Sequence, residues 1–248
     1  MLIPVSSGPR KTYLTNRLLF VADHATNFIP ESYGNLGVDE ANLQEHIAWD
    51  IGTLDVARAV RNRTGGRLLR APVSRLLIDL NRDPSHPGLI PESSDGILIP
   101  GNMGLAPEER QRRLEQYFHP YHSTLSAEID AMLEADDKVA LVSMHSFTPK
   151  LNGHGMNGQA RPWHVGILYN QDDRLARRAI DWLRREPGLI VGDNEPYSGR
   201  LLNYTMDRHA EARGLPYLSI EIRQDLISTP EGIADWSERL SALLRFLL

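Results

Sequence analysis

The stretch KVALVSMHSFTP, residues 138–149, decides how the rest of the chain is read. Lys138 to Met144 is a short, nearly unbroken apolar run, which predicts a buried strand. Strands covered on both faces belong to parallel or mixed sheets flanked by helices. The run ends at His145-Ser146-Phe147-Thr148, a group of catalytic type. In open α/β sheets, ligands bind beyond the carboxyl ends of the strands, so this junction is a first place to look for a site.

Working outward, the same form recurs. Arg17 to Ala22 (RLLFVA) is a buried strand that stops at Asp23-His24. Leu218 to Ile222 is another, and it carries Glu221 between Ile220 and Ile222. Strand side chains alternate, so isoleucines facing the core would turn Glu221 to the opposite face. A carboxylate buried there needs a partner. The run Ser74-Arg75-Leu76-Leu77-Ile78-Asp79-Leu80-Asn81-Arg82 also mixes polar and apolar groups and ends in Asn-Arg. Arg67 to Leu80 reads as strand material centred on Leu76, Leu77 and Ile78, and Trp163–Tyr169 and Leu189–Val191 as further strands.

Helical patterns lie between these runs. Asp39 is placed to cap a helix from about Glu40 to Asn62, with a stop at Gly65-Gly66. Pro107 to Leu133 reads as a long helix interrupted near Pro120, Arg174–Arg185 as an amphipathic helix, Asn203–Arg213 as a helix closed by Gly214, and Gly232–Leu248 as the last. Arg82 to Ala106 is a long loop rich in Pro, Gly, Ser and Asp, a type that is usually functional or disordered. The alternation predicts a three-layer α/β/α sandwich with a mixed, largely parallel central sheet. No linker divides residues 1–248, so a single catalytic domain is expected.

Composition narrows the chemistry. The formal net charge of -5 over 248 residues argues against a nucleic-acid surface. There is no cysteine, so disulfides, thiolate metal sites and cysteine nucleophiles are excluded together. A metal site must use His, Asp, Glu, Asn or Gln. Met1 to Thr15 has no apolar segment behind a basic one, and no window approaches a membrane span, so a cytoplasmic location and no membrane partner are expected.

The segments VADHATNFIP, HIAWDIG, SRLLIDLNRDP, MHSFTP and LSIEIRQDLI, in this order from about Phe20 to Leu226, resemble the motifs of the N-formylglutamate amidohydrolase family. A more distant likeness is to the zinc carboxypeptidases, a fold expectation of the zinc-exopeptidase kind. The resemblance implies an enzyme of amino-acid catabolism such as histidine degradation, acting on a small N-acyl amino acid. It implies Zn2+ or another divalent transition metal held by His24 and His145. The carboxypeptidases have Glu three residues after the first His, where this chain has Asn27, a poor zinc ligand. Asp50 is favoured as the third ligand over Asn27, and is read as lying at the start of a helical stretch, Asp50 to Val60. Asn27 would then face the substrate.

The roles implied for the remaining residues follow the same likeness. Glu221 is the general base and then acid. Arg75 is a cationic donor to the developing oxyanion. Asn81 and Arg82, with Arg223 and Ser146, are substrate-binding candidates, because guanidinium groups suit carboxylates. In His119-Pro120-Tyr121-His122, Pro120 would break a helix between the two histidines, and His122 is placed near the substrate pocket. Asn152 to Gly158 reads as a flexible lid and His154 as a loop residue within it. His164 and Trp163 are expected in the core, and Asn194–Gly199 beside the pocket.

Three rivals remain. A serine hydrolase lacks its G-x-S-x-G elbow here. A non-catalytic metal- or ligand-binding protein has no need of a positioned Glu221. An amidase for another N-acyl or peptide-like substrate stays open, because function lives in the site rather than the fold.

Overall fold

The computed structural model describes residues 17–136, 138–151 and 160–248. Its strands are β1 (Leu18–Ala22), β2 (Arg67–Arg70), β3 (Ser93–Ser94), β4 (Ile97–Leu98), β5 (Ala140–Phe147), β6 (Val165–Leu168), β7 (Val191–Asp193) and β8 (Tyr217–Arg223). Six of them form one sheet in the order β2-β1-β5-β8-β6-β7. The neighbours β2, β1, β5 and β8 run parallel, β6 is antiparallel to β8, and β7 is parallel to β6. The mixed, largely parallel sheet inferred from the alternating pattern is therefore present. β3 and β4 make a small separate hairpin inside the long 82–106 loop.

The helices are α1 (Glu40–Leu43), α2 (Thr53–Thr64), α3 (Pro107–Arg113), α4 (His119–Ala135), α5 (Arg174–Leu183), α6 (Tyr204–His209) and α7 (Pro230–Leu247). One sheet face carries Leu18, Phe20, Val142, Met144, Ile220 and Ile222, packed with apolar stripes from α2, α5 and α7. The other face, with Leu19, Val21, Leu141 and Tyr217, is covered by Tyr121, Leu125 and Ile129 of α4, by Met206 of α6, and by irregular chain that includes Leu76–Leu80. All eight residues of β5 are buried, as a central parallel strand requires. The carboxyl ends of β1, β5 and β8 open at one edge.

Several expected boundaries move. The helix from Glu40 to Asn62 is two helices, α1 and α2, with irregular chain at 44–52. Asp50 consequently precedes α2 rather than beginning it. Its N–H donates to the carbonyl of His24, which docks this loop on the end of β1. Gly52 makes the turn into α2 with φ of 77°, where a Cβ would collide with the carbonyl oxygen of Ile227.

The strand expected through Leu80 ends at Arg70. Leu76, Leu77 and Ile78 are fully buried yet form a turn, not a strand. Buried backbone outside regular structure needs other partners. Asn102 Nδ2 donates to the carbonyl of Leu76 at 2.8 Å, and Arg113 Nη1 to that of Leu77 at 3.0 Å. Leu80's carbonyl accepts from His122 Nε2. Side chains distant in sequence thus replace a strand ladder.

The long helix is not broken at Pro120. A π-turn, Leu114–Phe118, joins α3 to α4, and Pro120 sits in the first turn of α4, where its missing N–H costs little. β6 begins only at Val165, so Trp163 and His164 lie ahead of it and are half-buried rather than core. The short strand expected at Leu189–Val191 is shifted to Val191–Asp193. Asn152–Gly158 and His154 lie outside the described residues. No described helix is long and apolar enough to cross a membrane.

Candidate active site

Strand β1 ends into Asp23-His24, and β5 carries His145 near its end. Together with Asp50, each of the two histidines brings one ligand atom to within 4.8 Å of the others. All three side chains are buried. Asp50 Oδ2 lies 2.8 Å from His145 Nδ1 and 3.4 Å from His24 Nδ1. His24 Nδ1 has no hydrogen-bond partner although it is buried. Two imidazole nitrogens and a carboxylate oxygen on one point, one nitrogen unpartnered, fit a divalent metal ion with an open coordination position.

A carboxylate stands behind each ring, as is usual for metal-binding imidazoles, and the one behind His24 is within hydrogen-bond length. Asp79 Oδ1 lies 2.7 Å from His24 Nε2. Asp23 Oδ2 lies 3.6 Å from His145 Nε2, beyond hydrogen-bond length, and neither atom has another partner. The other oxygen of Asp23 accepts from the Tyr121 hydroxyl at 2.6 Å. Asp79 is itself fixed by Arg75 Nη2 at 2.8 Å and by the backbone N–H of Asn81 at 2.9 Å.

Electrostatics follow from this packing. Burial opposes ionisation of Asp50 and Asp79, but His24 beside both, joined by His145 at Asp50 and Arg75 at Asp79, outweighs it and holds both carboxyls far below their usual range. Burial likewise works against the charged ring of His145, yet Asp23 and Asp50 hold its pKa well above the ordinary value. Glu221 behaves in the opposite way. Burial and the neighbouring Asp50 raise its pKa to about 7, against the pull of His145. One oxygen of Glu221, Oε2, is buried without a hydrogen-bond partner. A buried carboxyl with a raised pKa and a free oxygen, in a cleft, has the properties of a proton-transfer group.

His24, Asp50, His145 and Glu221 line a cleft of about 100 Å³, with Arg75, Asn81, Arg82 and Tyr197 around them. Ser146 also lines it. Its Oγ donates to Ile51's carbonyl and its backbone N–H approaches Asp50 Oδ2, so it supports the Asp50 loop. Tyr197 is held from behind by Arg161, whose Nη1 donates to the phenol oxygen at 3.0 Å. Of the Asn194–Gly199 segment, Tyr197 is the residue that reaches the cleft lining.

Three expected substrate contacts are placed elsewhere. The Asn27 amide donates to Leu43's carbonyl and the Gln44 side chain, so it ties β1's end to α1 and does not line the cleft. Arg223, two residues beyond Glu221 at the last position of β8, pairs with Asp225 and reaches the carbonyls of 161–163. His122 is buried beneath the cleft, bonded to His209 and to Leu80's carbonyl. Sequence reasoning assigns no role to Asp23 or Tyr121. Asp23 has a signal, its place beside His24 at a strand end; Tyr121 has none, while Tyr197 lies in the segment expected beside the pocket.

The profile of the N-formylglutamate amidohydrolases matches residues 16–228. The chain belongs to that family. An N-formylglutamate deformylase of Pseudomonas putida is 32% identical over 205 residues, which cover 77% of this chain and 73% of that protein. A gene product of Agrobacterium tumefaciens has a crystal structure with a TM-score of 0.88, 34% identity, and coverage of 96% of this chain and 92% of that one. The crystal structure of N-formylglutamate amidohydrolase from Ralstonia eutropha JMP134 has a TM-score of 0.66 at 24% identity, covering 94% and 93%, and shows the shared fold. Within the family match, this member carries its metal-competent cluster and Glu221 on the turn after β1, on β5, on β8 and on the loop ahead of α2.

Proposed function

We propose that the protein is a zinc-dependent amidohydrolase that cleaves the amide of an N-formyl or other N-acyl amino acid, such as N-formylglutamate, to the free acid and the amino acid. The whole chain acts as one catalytic domain, with His24, Asp50 and His145 as ligands. The observation that carries this reading is the unpartnered Glu221 oxygen beside three ligand atoms gathered within 4.8 Å. The family match and the 32% identical deformylase supply the reaction class.

When bound, zinc supplies Lewis acidity toward water and the scissile carbonyl. The chain's residues do the rest. Glu221 takes a proton from the attacking water on its free oxygen and returns it to the leaving amine. A pKa of about 7 suits both directions of transfer. The Arg75 guanidinium, held by Asp79 and 3.6 Å from Asp50, carries fixed positive charge at the edge of the cleft for the developing oxyanion. Arg82 and Asn81 receive the substrate carboxylate. Arg82 is oriented by its own bond from Nη1 to Asn81's carbonyl at 2.9 Å.

Metal analysis of the purified protein, with release assays on N-formyl and N-acetyl amino acids, tests the proposal. Zinc near one per chain with selective deformylation supports it. A well-folded protein that neither binds zinc nor gains thermal stability from it refutes it.

A further inference from the structure

Between α4 and α6 lies a buried pair of histidines that the reaction does not use. His122 and His209 meet edge to edge, with ring centroids 5.1 Å apart and planes 2° from parallel. His122 Nδ1 is 2.8 Å from His209 Nε2, and His122 Nε2 is 3.0 Å from Leu80's carbonyl oxygen. A carbonyl can only accept, so Nε2 of His122 carries the proton. Its Nδ1 is then the acceptor, and His209 Nε2 donates to it. That leaves His209 Nδ1 as an acceptor for the Ser126 hydroxyl, 3.3 Å away. With both rings neutral, every proton in the chain from Ser126 to Leu80 has one place.

Burial agrees with this assignment, since it depresses His122 to about 4 and His209 to about 3. The relay ends on a peptide carbonyl, which takes no proton. It is a static prop. What it props is the irregular turn whose next residues, Asn81 and Arg82, line the cleft. From the same side, Thr205 of α6 donates its backbone N–H to Asn81 Oδ1 at 3.0 Å. Asp79, the partner of His24, has a separate anchor in its backbone bond to Leu89's carbonyl.

We infer that His122 and His209 are positioning residues for carboxylate recognition: they fix Leu80's carbonyl, and through it the placing of Asn81 and Arg82. The inference rests on the reading of Asn81 and Arg82 as the carboxylate anchor. A carboxylate is held alike in ground and transition states, so the loss falls on KM and leaves kcat.

The test compares wild type with His122→Leu and His122→Gln on an N-formyl amino acid and on its carboxamide, which lacks the carboxylate. His122→Leu is expected to raise KM for the acid about tenfold, with kcat within about threefold and no change in KM for the carboxamide. His122→Gln, which keeps a donor for Leu80, restores KM. An unchanged KM in folded His122→Leu, or an equal rise for acid and carboxamide, overturns the inference. Should His122→Leu fail to fold, His209→Leu against His209→Gln gives the same readout. If wild type cleaves neither substrate, the proposed function fails instead. The crystal structure of His122→Leu, or of His209→Leu if that is the variant that folds, then decides: Leu80–Arg82 unmoved overturns the positioning role, and their displacement supports it.

Discussion

His145 and Glu221 are register partners across the β5–β8 ladder, one step before Ser146 and Ile222. In neighbouring parallel strands this pairing sends both side chains out of the same sheet face. The apolar neighbours Met144, Ile220 and Ile222 pack on the opposite face. A ligand candidate and a proton-transfer candidate are therefore held at a fixed spacing by backbone hydrogen bonds, not by loops.

Replacing Glu221 with Gln keeps the shape and removes the base. Hydrolysis is expected to fall by about 10³-fold, the scale of general acid–base catalysis. Zinc content, read by mass spectrometry on the same sample, is expected to stay at the wild-type level. Unchanged turnover in this variant refutes the role.

Asp79→Asn leaves the three ligand atoms in place and weakens the group that orients His24. Outer partners of this kind contribute about 10- to 100-fold to metal affinity. Competition with a chromophoric chelator is expected to show a loss of that size, and dialysis against a stronger chelator to abolish activity reversibly. Equal affinity in the variant contradicts the geometry of His24.

Arg113 is buried, with Nη1 donating to Leu77's carbonyl and to Asn102 Oδ1, and Nε to Glu109. Arg113→Ala strands buried acceptors under the Leu76–Leu80 turn. A loss of roughly 3–5 kcal/mol is expected in urea unfolding, the scale for breaking a buried charged network. A loss below about 1 kcal/mol would mean the turn is held otherwise.

The His122–His209 pair sets an acid limit on stability. Both rings are depressed in the folded state, to about 4 and about 3, from an ordinary 6.5. Burial is the main cause. Arg208 lowers both further, His119 adds to this at His122 and Arg213 at His209, and Asp23 opposes. Their contribution is complete above pH 6.5 and declines as pH falls toward 4, because the unfolded chain binds protons that the folded one refuses. The expected decline by pH 4.5 is on the order of 2 kcal/mol for each ring, and it is expected to shrink by about half in His209→Gln. Equal acid sensitivity of the two proteins, measured by denaturant unfolding at pH 7 and pH 4.5, would remove the pair from the account.

Much of the framework was legible because burial on both faces leaves a local mark. Leu18–Ala22 is a continuous apolar run, Ala140–Met144 and Leu218–Ile222 are largely apolar ones, and each lies in a strand of the central sheet. Glu221 stood out as a polar break in such a run. Leu76-Leu77-Ile78 bears the same mark and is a turn, because its carbonyls are taken by Asn102 and Arg113, more than twenty residues away. Asn27 and His122 were misplaced for a related reason. Residue type and order say that an amide or imidazole is near a strand end or on a helix, not which way it faces.

The sequence by itself determined the layered α/β class, the strand ends that carry His24, His145 and Glu221, and the exclusion of thiol chemistry. Only the tertiary structure decided that Asp50 meets both histidines, that Asp79 and Asp23 stand behind them, and that His122 props the cleft instead of lining it. Periodicity is a property of neighbouring residues, whereas these contacts join groups 26 to 122 positions apart. Their meeting depends on how helices and irregular chain return over the sheet, which no local pattern encodes.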